Sequence, residues 1–228
     1  TKLDSNLSLP NHASFSDYQA YVDASIYGSL VKLGVDRIDT LLLHRASQLS
    51  ERDGAIWDRL LFHQKAGFIG TLGVSVQSPE ELASVIDCPN VEHIQMPFNI
   101  LDWRWAESIN KIRNVQAFRK LVIHIRSVFL QGILLLRDVR QWRNANCSNP
   151  DMIISWLDDS VFRFERESVQ DLCISYVNGL DWIDGIVVGM ETRNQLIENV
   201  KMFAKEPLDD TERRVLNDSR PHVHQNTL

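Results

Sequence analysis

Polar side chains recur at the ends of short apolar runs along this sequence. His44 ends "DTLLLH" and Ser75 follows "IGTLGV", while Gln95 and Ser127 hold similar places further along the chain. Imidazole, hydroxyl and amide groups can all hydrogen-bond to a ligand. A lone polar residue at the end of a buried strand is usually structural. Its repetition along the chain predicts that these residues belong to one site.

Helical patterns separate most of the apolar runs. Residues 15–33 carry apolar side chains at three- and four-residue steps, and Gly34 can end this helix. Ser78, Pro79 and Glu81 form a capping-box signature at the start of another helix. Strands are predicted at "TKL", "DTLLLH", "IGTLGVSV", "VEHIQMPF", "LVIHIRSVF" and "DGIVVGM", and helices at 54–66, 105–119, 165–178, 192–204 and 209–218. A polar stretch at 137–151 is interpreted as a lid or a surface loop.

Alternation of strands and helices, with strands that are apolar on both faces, predicts a parallel sheet covered by helices. Such a sheet is either doubly wound or closed into a (β/α)8 TIM barrel. A doubly wound sheet would have a glycine-rich phosphate loop after an early strand, and no G-x-G-x-x-G occurs in the sequence. A barrel places functional residues at the carboxyl ends of many strands. The barrel is therefore favoured, because polar or glycine residues follow many of the strands: Lys2, His44, Ser75, Gln95, Ser127 and Gly189.

The composition is that of an ordinary globular protein. The chain has 228 residues, of which 44% are hydrophobic and 24% are charged, and its formal net charge is -6. This negative charge argues against nucleic-acid binding, which needs a basic face. No apolar run approaches the roughly 20 residues that cross a bilayer, and the first residues do not resemble a secretory signal. Three widely spaced cysteines indicate neither disulfides nor a zinc site, so a reducing, cytoplasmic setting is expected.

Five segments, in order, resemble motifs of the aldo-keto reductase family. They are "SLVKLGVDRIDTLLLHR", "GFIGTLGVSV", "HIQMPFNILD", "IRSVFLQGILL" and "IVVGMETRNQLIENV". The resemblance extends from Thr1 to about Phe203, and the nearest branch is the one associated with polysaccharide biosynthesis. It implies a TIM barrel in which a carbonyl group is reduced with a nicotinamide cofactor.

The resemblance also assigns roles to residues. Lys2 matches the lysine that lowers the pKa of a catalytic tyrosine, and His44 matches the histidine that orients the carbonyl oxygen. Ser75 and Gln95 match the residues that hold the carboxamide of the cofactor, and Arg126 matches the side chain beside the nicotinamide. The pyrophosphate and adenosine contacts would come from Ser127, Val128, Leu130, Gly132, Gly189, Thr192, Gln195, Glu198 and Asn199.

Two departures from the family pattern concern the acid and the cofactor. The family's aspartate and tyrosine precede the lysine, so their counterparts would stand before Lys2. We expect either a piece of a longer protein, lacking roughly 50 residues on the basis of barrel size, or a natural truncation without reductase activity. Val76 replaces the asparagine that usually follows the serine. Glu191 lies where some members place a basic residue against the 2′-phosphate of NADP, so NADP and NAD both remain candidates.

The leading hypothesis is an NAD(P)-dependent reductase of an aldehyde or ketone, with keto-sugars among the candidate substrates. The alternative is an inactive relative that binds nucleotide or a protein partner. We expect a barrel domain over residues 1–208, containing strands three to eight of the family, and a C-terminal helix and tail over 209–228. His222 and His224 are interpreted as part of a flexible tail, so no metal site is predicted. The sequence leaves the oligomeric state open.

Overall fold

The computed structural model of the chain describes residues 1–3 and 13–221, apart from the side chain of Arg52. In these residues strands alternate with helices. The strands are β1 (Ile38–Leu43), β2 (Ile69–Ser75), β3 (His93–Pro97), β4 (Val122–Arg126) and β5 (Gly185–Ile186). The α-helices are α1 (Phe15–Leu33), α2 (Ala55–Lys65), α3 (Pro79–Val85), α4 (Ala106–Phe118), α5 (Val139–Asn144), α6 (Pro150–Arg163), α7 (Val169–Asn178), α8 (Arg193–Phe203) and α9 (Asp210–Ser219). Short 3-10 helices occupy Ala46–Leu49, Glu51–Gly54 and Leu130–Leu135.

Two helix boundaries show how the sequence determines them. Helix α1 ends at Gly34, which adopts a left-handed conformation with φ of 66°. Helix α3 begins where the capping signature predicts, because the Ser78 hydroxyl accepts a hydrogen bond from the Glu81 amide at 3.3 Å. The Glu81 carboxylate accepts one from the Gln77 amide at 2.7 Å. These contacts satisfy amide groups that have no partner within a helix.

The five strands form one open parallel sheet in chain order, from β1 to β5. Residues Thr1 to Leu3, predicted as the tail of a strand, form a parallel bridge at the edge of β1, with Lys2 opposite Leu42. The Leu3 amide donates to the Leu42 carbonyl at 2.8 Å, and the Leu42 amide donates to the Thr1 carbonyl at 3.0 Å. The start of the chain is therefore aligned with the strand that leads to His44.

The chain divides into two compact units. Unit 1 comprises Thr1–Met96 and Ser108–His124, and unit 2 comprises Pro97–Glu107 and Ile125–Leu228. In unit 1, the apolar side chains of β1, β2 and β3 are buried under α1 to α4. In unit 2, the core is formed by buried apolar residues of α6 and α7 and by two fully buried tryptophans, Trp142 and Trp182.

A polar cluster joins α1 to α2 within unit 1. The Arg59 guanidinium donates two hydrogen bonds of 2.7 Å to the Asp23 carboxylate. The His63 Nε2 lies 2.6 Å from the same carboxylate, and the imidazole is buried. The Arg59 hydrogen bonds hold the pKa of Asp23 below its usual value. The cluster therefore pairs a charge that would otherwise be costly to place between two helices.

Unit 2 differs from the predicted elements in three places. The polar stretch 137–151 is not a continuous loop, because it contains α5 and the first residues of α6. Helix α6 was not predicted, and α7 begins at Val169, several residues after the predicted start at 165. Strand β5 comprises only Gly185 and Ile186 of the predicted "DGIVVGM" run. Among the described residues, none of the helices is long and apolar enough to span a membrane.

Candidate active site

In unit 1, the candidate residues follow consecutive strands because the strands are paired in register. Leu43, immediately before His44, pairs with Val74, immediately before Ser75. Ser75 in turn pairs with Gln95. Since parallel strands place their carboxyl ends at one edge of a sheet, this register brings His44, Ser75 and Gln95 to the same edge.

Lys2 and Ser75 are in direct contact at this edge. The Lys2 ammonium donates a hydrogen bond to the Ser75 hydroxyl oxygen, with an Nζ to Oγ distance of 3.0 Å. Ser75 is only 1% exposed. Because a hydroxyl that accepts from an ammonium retains its own hydrogen, Ser75 can donate that hydrogen to a further acceptor. Sequence reasoning selected both residues but did not predict their contact.

His44 stands at the end of β1, and its backbone is held by a residue that sequence reasoning missed. The Gln48 side-chain oxygen accepts hydrogen bonds from the amides of His44 at 2.9 Å and Arg45 at 3.0 Å. Gln48 is 1% exposed and lies in the 3-10 helix that follows β1. The sequence signal that could have identified Gln48 is an amide side chain four residues after the histidine, just beyond the end of a strand.

Val76 and Gln95 join β2 and β3 beyond Ser75. The Val76 amide donates to the Gln95 backbone carbonyl at 2.9 Å, and the Val76 side chain is fully buried. The valine that replaces the family's asparagine is therefore part of the core. Gln95, by contrast, is partly exposed.

In unit 2, the segment after β4 has an unusual backbone. Ser127, Leu130 and Gln131 have φ values of 63°, 48° and 53°, and Gly132 has a φ of 90°. Left-handed conformations of residues other than glycine cost roughly 1–2 kcal/mol each, and they concentrate where a backbone encloses a ligand. The prediction that this segment contacts the pyrophosphate stays a prediction.

Most residues of the segment 127–132 line a cavity that also reaches the start of α8. The cavity has a volume of about 550 Å3. At its α8 end, the Gln195 side chain accepts hydrogen bonds from the amides of Glu191 and Thr192, at 2.7 and 3.2 Å. The amino end of a helix favours anions such as phosphate. Predicted cofactor residues in the cavity wall are Ser127, Val128, Gly132, Gly189 and Gln195, and Glu191 lies there too.

Other predicted cofactor residues are placed elsewhere. The Asn199 side chain is buried and accepts a hydrogen bond from Gln170 at 2.8 Å, which joins α8 to α7. Glu198 is exposed, and Thr192 caps α8 through its hydroxyl. In the part of the chain that the structure describes, the cavity wall does not include Arg126, Leu130, Thr192, Glu198 or Asn199.

Two tryptophans, Trp103 and Trp105, lie between β3 and α4. Trp105 is fully buried and donates to the Asp102 carboxylate at 3.1 Å, immediately before α4, so its position is structural. Trp103 lines a separate cavity of about 310 Å3 with Asn217, Arg220 and Pro221. Among residues 1–3 and 13–221, no cluster of histidine, cysteine and carboxylate side chains could hold a metal ion. His222 and His224 lie outside the described residues.

These features define the class of the protein: a parallel α/β protein with polar groups at the carboxyl ends of its strands, and with a cavity in unit 2 beside the segment after β4 and the start of α8. The chain belongs to the aldo/keto reductase family, whose model matches residues 1–219. Proteins of this family are oxidoreductases. A comparison with curated protein sequences finds no match.

Solved structures of the same family share this fold. An aldo-keto reductase, AKR11C1 from Bacillus halodurans in its holo form, superposes with a TM-score of 0.72 at 19% identity, covering 92% of this chain and 71% of that one. The glycerol dehydrogenase AKR11B4 from Gluconobacter oxydans gives a TM-score of 0.71 at 20% identity, covering 88% of this chain and 63% of that one. The fold is therefore of the (β/α)8 barrel type, as predicted, and the chain is shorter than both relatives. The predicted polysaccharide-biosynthesis branch remains a prediction.

Proposed function

We propose that the protein reduces an aldehyde or ketone to an alcohol with NAD or NADP as hydride donor. The observation that carries this proposal is the contact between the Lys2 ammonium and the Ser75 hydroxyl, at the strand ends where His44 and Gln95 also lie. The four residue types match those that the family uses beside the nicotinamide. Family membership and this arrangement both support carbonyl reduction with a nicotinamide cofactor.

The residues of unit 2 suit the phosphate-containing part of such a cofactor. The cavity of about 550 Å3 is bounded by the left-handed segment after β4 and by the amino end of α8. A Cβ atom added at Gly132 or at Gly189 would have no other atom within 4 Å. The space beside both glycines is therefore open to a ligand. Ser127, Val128, Gly132, Gly189 and Gln195 would hold the pyrophosphate and adenosine parts here.

The bound nicotinamide would supply a hydride to the carbonyl carbon. We assign to His44 a hydrogen bond that orients and polarises the carbonyl oxygen, since a fixed donor there stabilises the negative charge that develops. We assign to the Ser75 hydroxyl, whose oxygen accepts from Lys2, a hydrogen bond to the carboxamide. Gln95 would hold the same carboxamide through its side-chain amide.

The carbonyl oxygen also needs a proton. In the family a tyrosine provides it, and an adjacent lysine lowers a tyrosine pKa that is ordinarily about 10. The positions that would match the family's tyrosine and aspartate precede Lys2 in order. We therefore propose cofactor binding for these 228 residues, and reduction for a protein that also carries those two side chains.

Titration with NADH and NADPH, followed by cofactor fluorescence, tests the proposal. We expect saturable binding of at least one of them. Binding with turnover of a panel of aldehydes, ketones and keto-sugars would establish the reductase. Binding without turnover would favour the inactive relative. No binding of either cofactor at millimolar concentration would reject both the reductase and the nucleotide-binding form of the inactive relative.

Substitution of His44 tests its assigned role. We expect His44→Ala to lower turnover by about 100-fold or more, as loss of an oxyanion donor does, while the cofactor dissociation constant changes little. Arg45→Ala is the control, because Arg45 is the adjacent exposed residue. A large loss of cofactor affinity in His44→Ala would contradict the role proposed for the imidazole.

A further inference from the structure

We propose that Gln48 is a positioning residue for His44, acting through the backbone at the end of β1. This inference rests on the catalytic role proposed for His44. Gln48 would not touch the substrate or the cofactor. Its side-chain oxygen would set the direction in which the polypeptide carries the imidazole away from the strand.

The need for such a residue arises where the strand pairing stops. The described pairing of β1 with β2 ends at Leu43 and Val74. The next two amides, of His44 and Arg45, both donate to the Gln48 side-chain oxygen, at 2.9 and 3.0 Å. A single carbonyl oxygen has two lone pairs and can accept both. Gln48 thus provides the acceptor that a neighbouring strand would have provided.

Gln48 is itself held in place. It is 1% exposed, and the 3-10 helix that carries it packs against α2 and α3. Its own amide donates to the Arg45 carbonyl at 3.2 Å, so both backbone polar groups of Arg45 are engaged by one residue. The two bonds from the His44 and Arg45 amides hold the peptide groups on either side of the His44 Cα atom. The Cα to Cβ direction of His44 is fixed with them, because these two peptide groups contain the backbone nitrogen and the carbonyl carbon of His44.

Loss of the Gln48 side-chain oxygen would affect the orientation of the His44 imidazole more than the stability of the fold. Without it, the amides of His44 and Arg45 must find water or another acceptor, and the peptide groups can rotate. A displacement of about 1 Å at a catalytic group can cost roughly 100-fold in rate. The cofactor site would be unaffected, since Ser75 and Gln95 are paired with one another on β2 and β3.

Two substitutions separate positioning from packing. Gln48→Met keeps nearly the same shape and volume without an acceptor oxygen. Gln48→Glu keeps an acceptor oxygen at the same distance from the backbone and serves as the conservative rescue. Two NMR measurements report on the position of His44 whether or not the protein has measurable turnover. They are the hydrogen exchange of the amides of residues 44 and 45 and the titration of the His44 imidazole. In protein with measurable turnover, kcat, KM and the cofactor dissociation constant are added.

In Gln48→Met we expect faster exchange of both amides, at least about tenfold, and a changed His44 titration midpoint. Turnover should fall by about 10- to 100-fold, with the cofactor dissociation constant within about twofold of the unsubstituted value. In Gln48→Glu, amide exchange, the His44 titration midpoint and turnover should return most of the way to the values of the unsubstituted protein. If Gln48→Met is too unstable to assay at the standard temperature, the same measurements on Gln48→Glu and on Gln48→Met at a lower temperature decide the question.

Unchanged exchange, or faster exchange with an unchanged His44 titration and kcat, would overturn the inference. A fall in kcat accompanied by an equal loss of cofactor affinity would also overturn it, since the effect would then extend beyond His44. Failure of the proposed function is a separate result: the unsubstituted protein would not bind or oxidise a nicotinamide cofactor, while the amide and imidazole measurements would still decide the role of Gln48.

Discussion

Replacement of Gly73 by alanine provides the sharpest test of how the strands are held beneath the site. Gly73 lies in β2, two residues before Ser75, and pairs with His93 of β3. A Cβ atom at Gly73 would lie 2.1 Å from the His93 carbonyl oxygen and 2.6 Å from Cδ2 of Leu42. Because backbone atoms cannot rotate away, the two strands must separate.

The cost can be worked from these distances. A Cβ atom essentially never approaches another heavy atom closer than 3.0 Å, so β3 would have to move by about 0.9 Å. Hydrogen bonds on either side, from Glu92 to Leu72 at 3.0 Å and from Val76 to Gln95 at 2.9 Å, would be stretched beyond a normal length. Two weakened bonds at about 1 kcal/mol each and overpacking of about 1–3 kcal/mol give a loss of about 3–5 kcal/mol.

Thermal unfolding followed by circular dichroism measures this loss. A decrease of 3–5 kcal/mol corresponds to a Tm lowered by roughly 6–20 °C in a chain of this size. Gly28→Ala is the matched control: Gly28 lies within α1, and a Cβ there would have no atom within 4 Å. That change should stabilise the helix by about 0.5–1 kcal/mol. If Gly73→Ala unfolds within about 1 kcal/mol of the unsubstituted protein, the account of strand packing is wrong.

Further predictions concern charge and reactivity. Glu191→Gln should tighten NADPH binding by about three- to fivefold, because a carboxylate no longer faces the 2′-phosphate, and it should leave NADH binding unchanged in fluorescence titrations. Asp23 has a lowered pKa owing to its hydrogen bonds from Arg59, so its contribution is present above pH 4 and lost as the pH falls below it. Asp23→Asn should therefore cost about 1 kcal/mol in urea unfolding at pH 7 and progressively less below pH 4; an equal difference at both pH values would refute this. Burial raises the pKa of Cys173 to about 12, so alkylation of the native protein at pH 8 should modify Cys88, which is partly exposed, and not Cys173; modification of both at the same rate would contradict its burial.

Local sequence signals predicted much of unit 1 because each signal acts over a few residues. Gly34 ended α1, and Ser78 with Pro79 began α3, since caps satisfy amides and carbonyls within one turn. The positions of His44 and Ser75 followed from the strand ends in the same way. The residue patterns did not predict the hydrogen bond between Lys2, beside β1, and Ser75, at the end of β2.

Helix α6 shows where pattern reading was incomplete. Pro150 stands at its first turn, and Ile153, Trp156 and Leu157 are buried at three- and four-residue steps. This is a helical signal, but it follows directly on a polar stretch that was interpreted as a loop. The opposite error occurred at β5, where an apolar run predicted a strand of seven residues and only Gly185–Ile186 pair. Short apolar runs do not distinguish a strand from an apolar loop.

Roles that depend on side-chain direction could not be predicted from spacing. Asn199 matches a family position for the adenosine end, yet its amide turns to Gln170 and joins two helices. Gln48 matched no motif, yet its side chain engages two backbone amides beside His44. In both cases the decisive quantity is a rotamer selected by tertiary packing, and the sequence pattern contains only the residue type.

The register of the sheet explains why the separate strands can make one site. Lys2 lies opposite Leu42, Leu43 opposite Val74, and Ser75 opposite Gln95. A shift of β3 by one residue would place buried Met96 opposite Ser75 and turn the Gln95 side chain to the other face. Gly73 permits the close approach of β3 in the observed register, because only a residue without a Cβ fits against the His93 carbonyl. The close approach at Gly73 and the amide at Gln95 are therefore parts of one arrangement, and a substitution at Gly73 should weaken cofactor binding without altering any residue that contacts the cofactor.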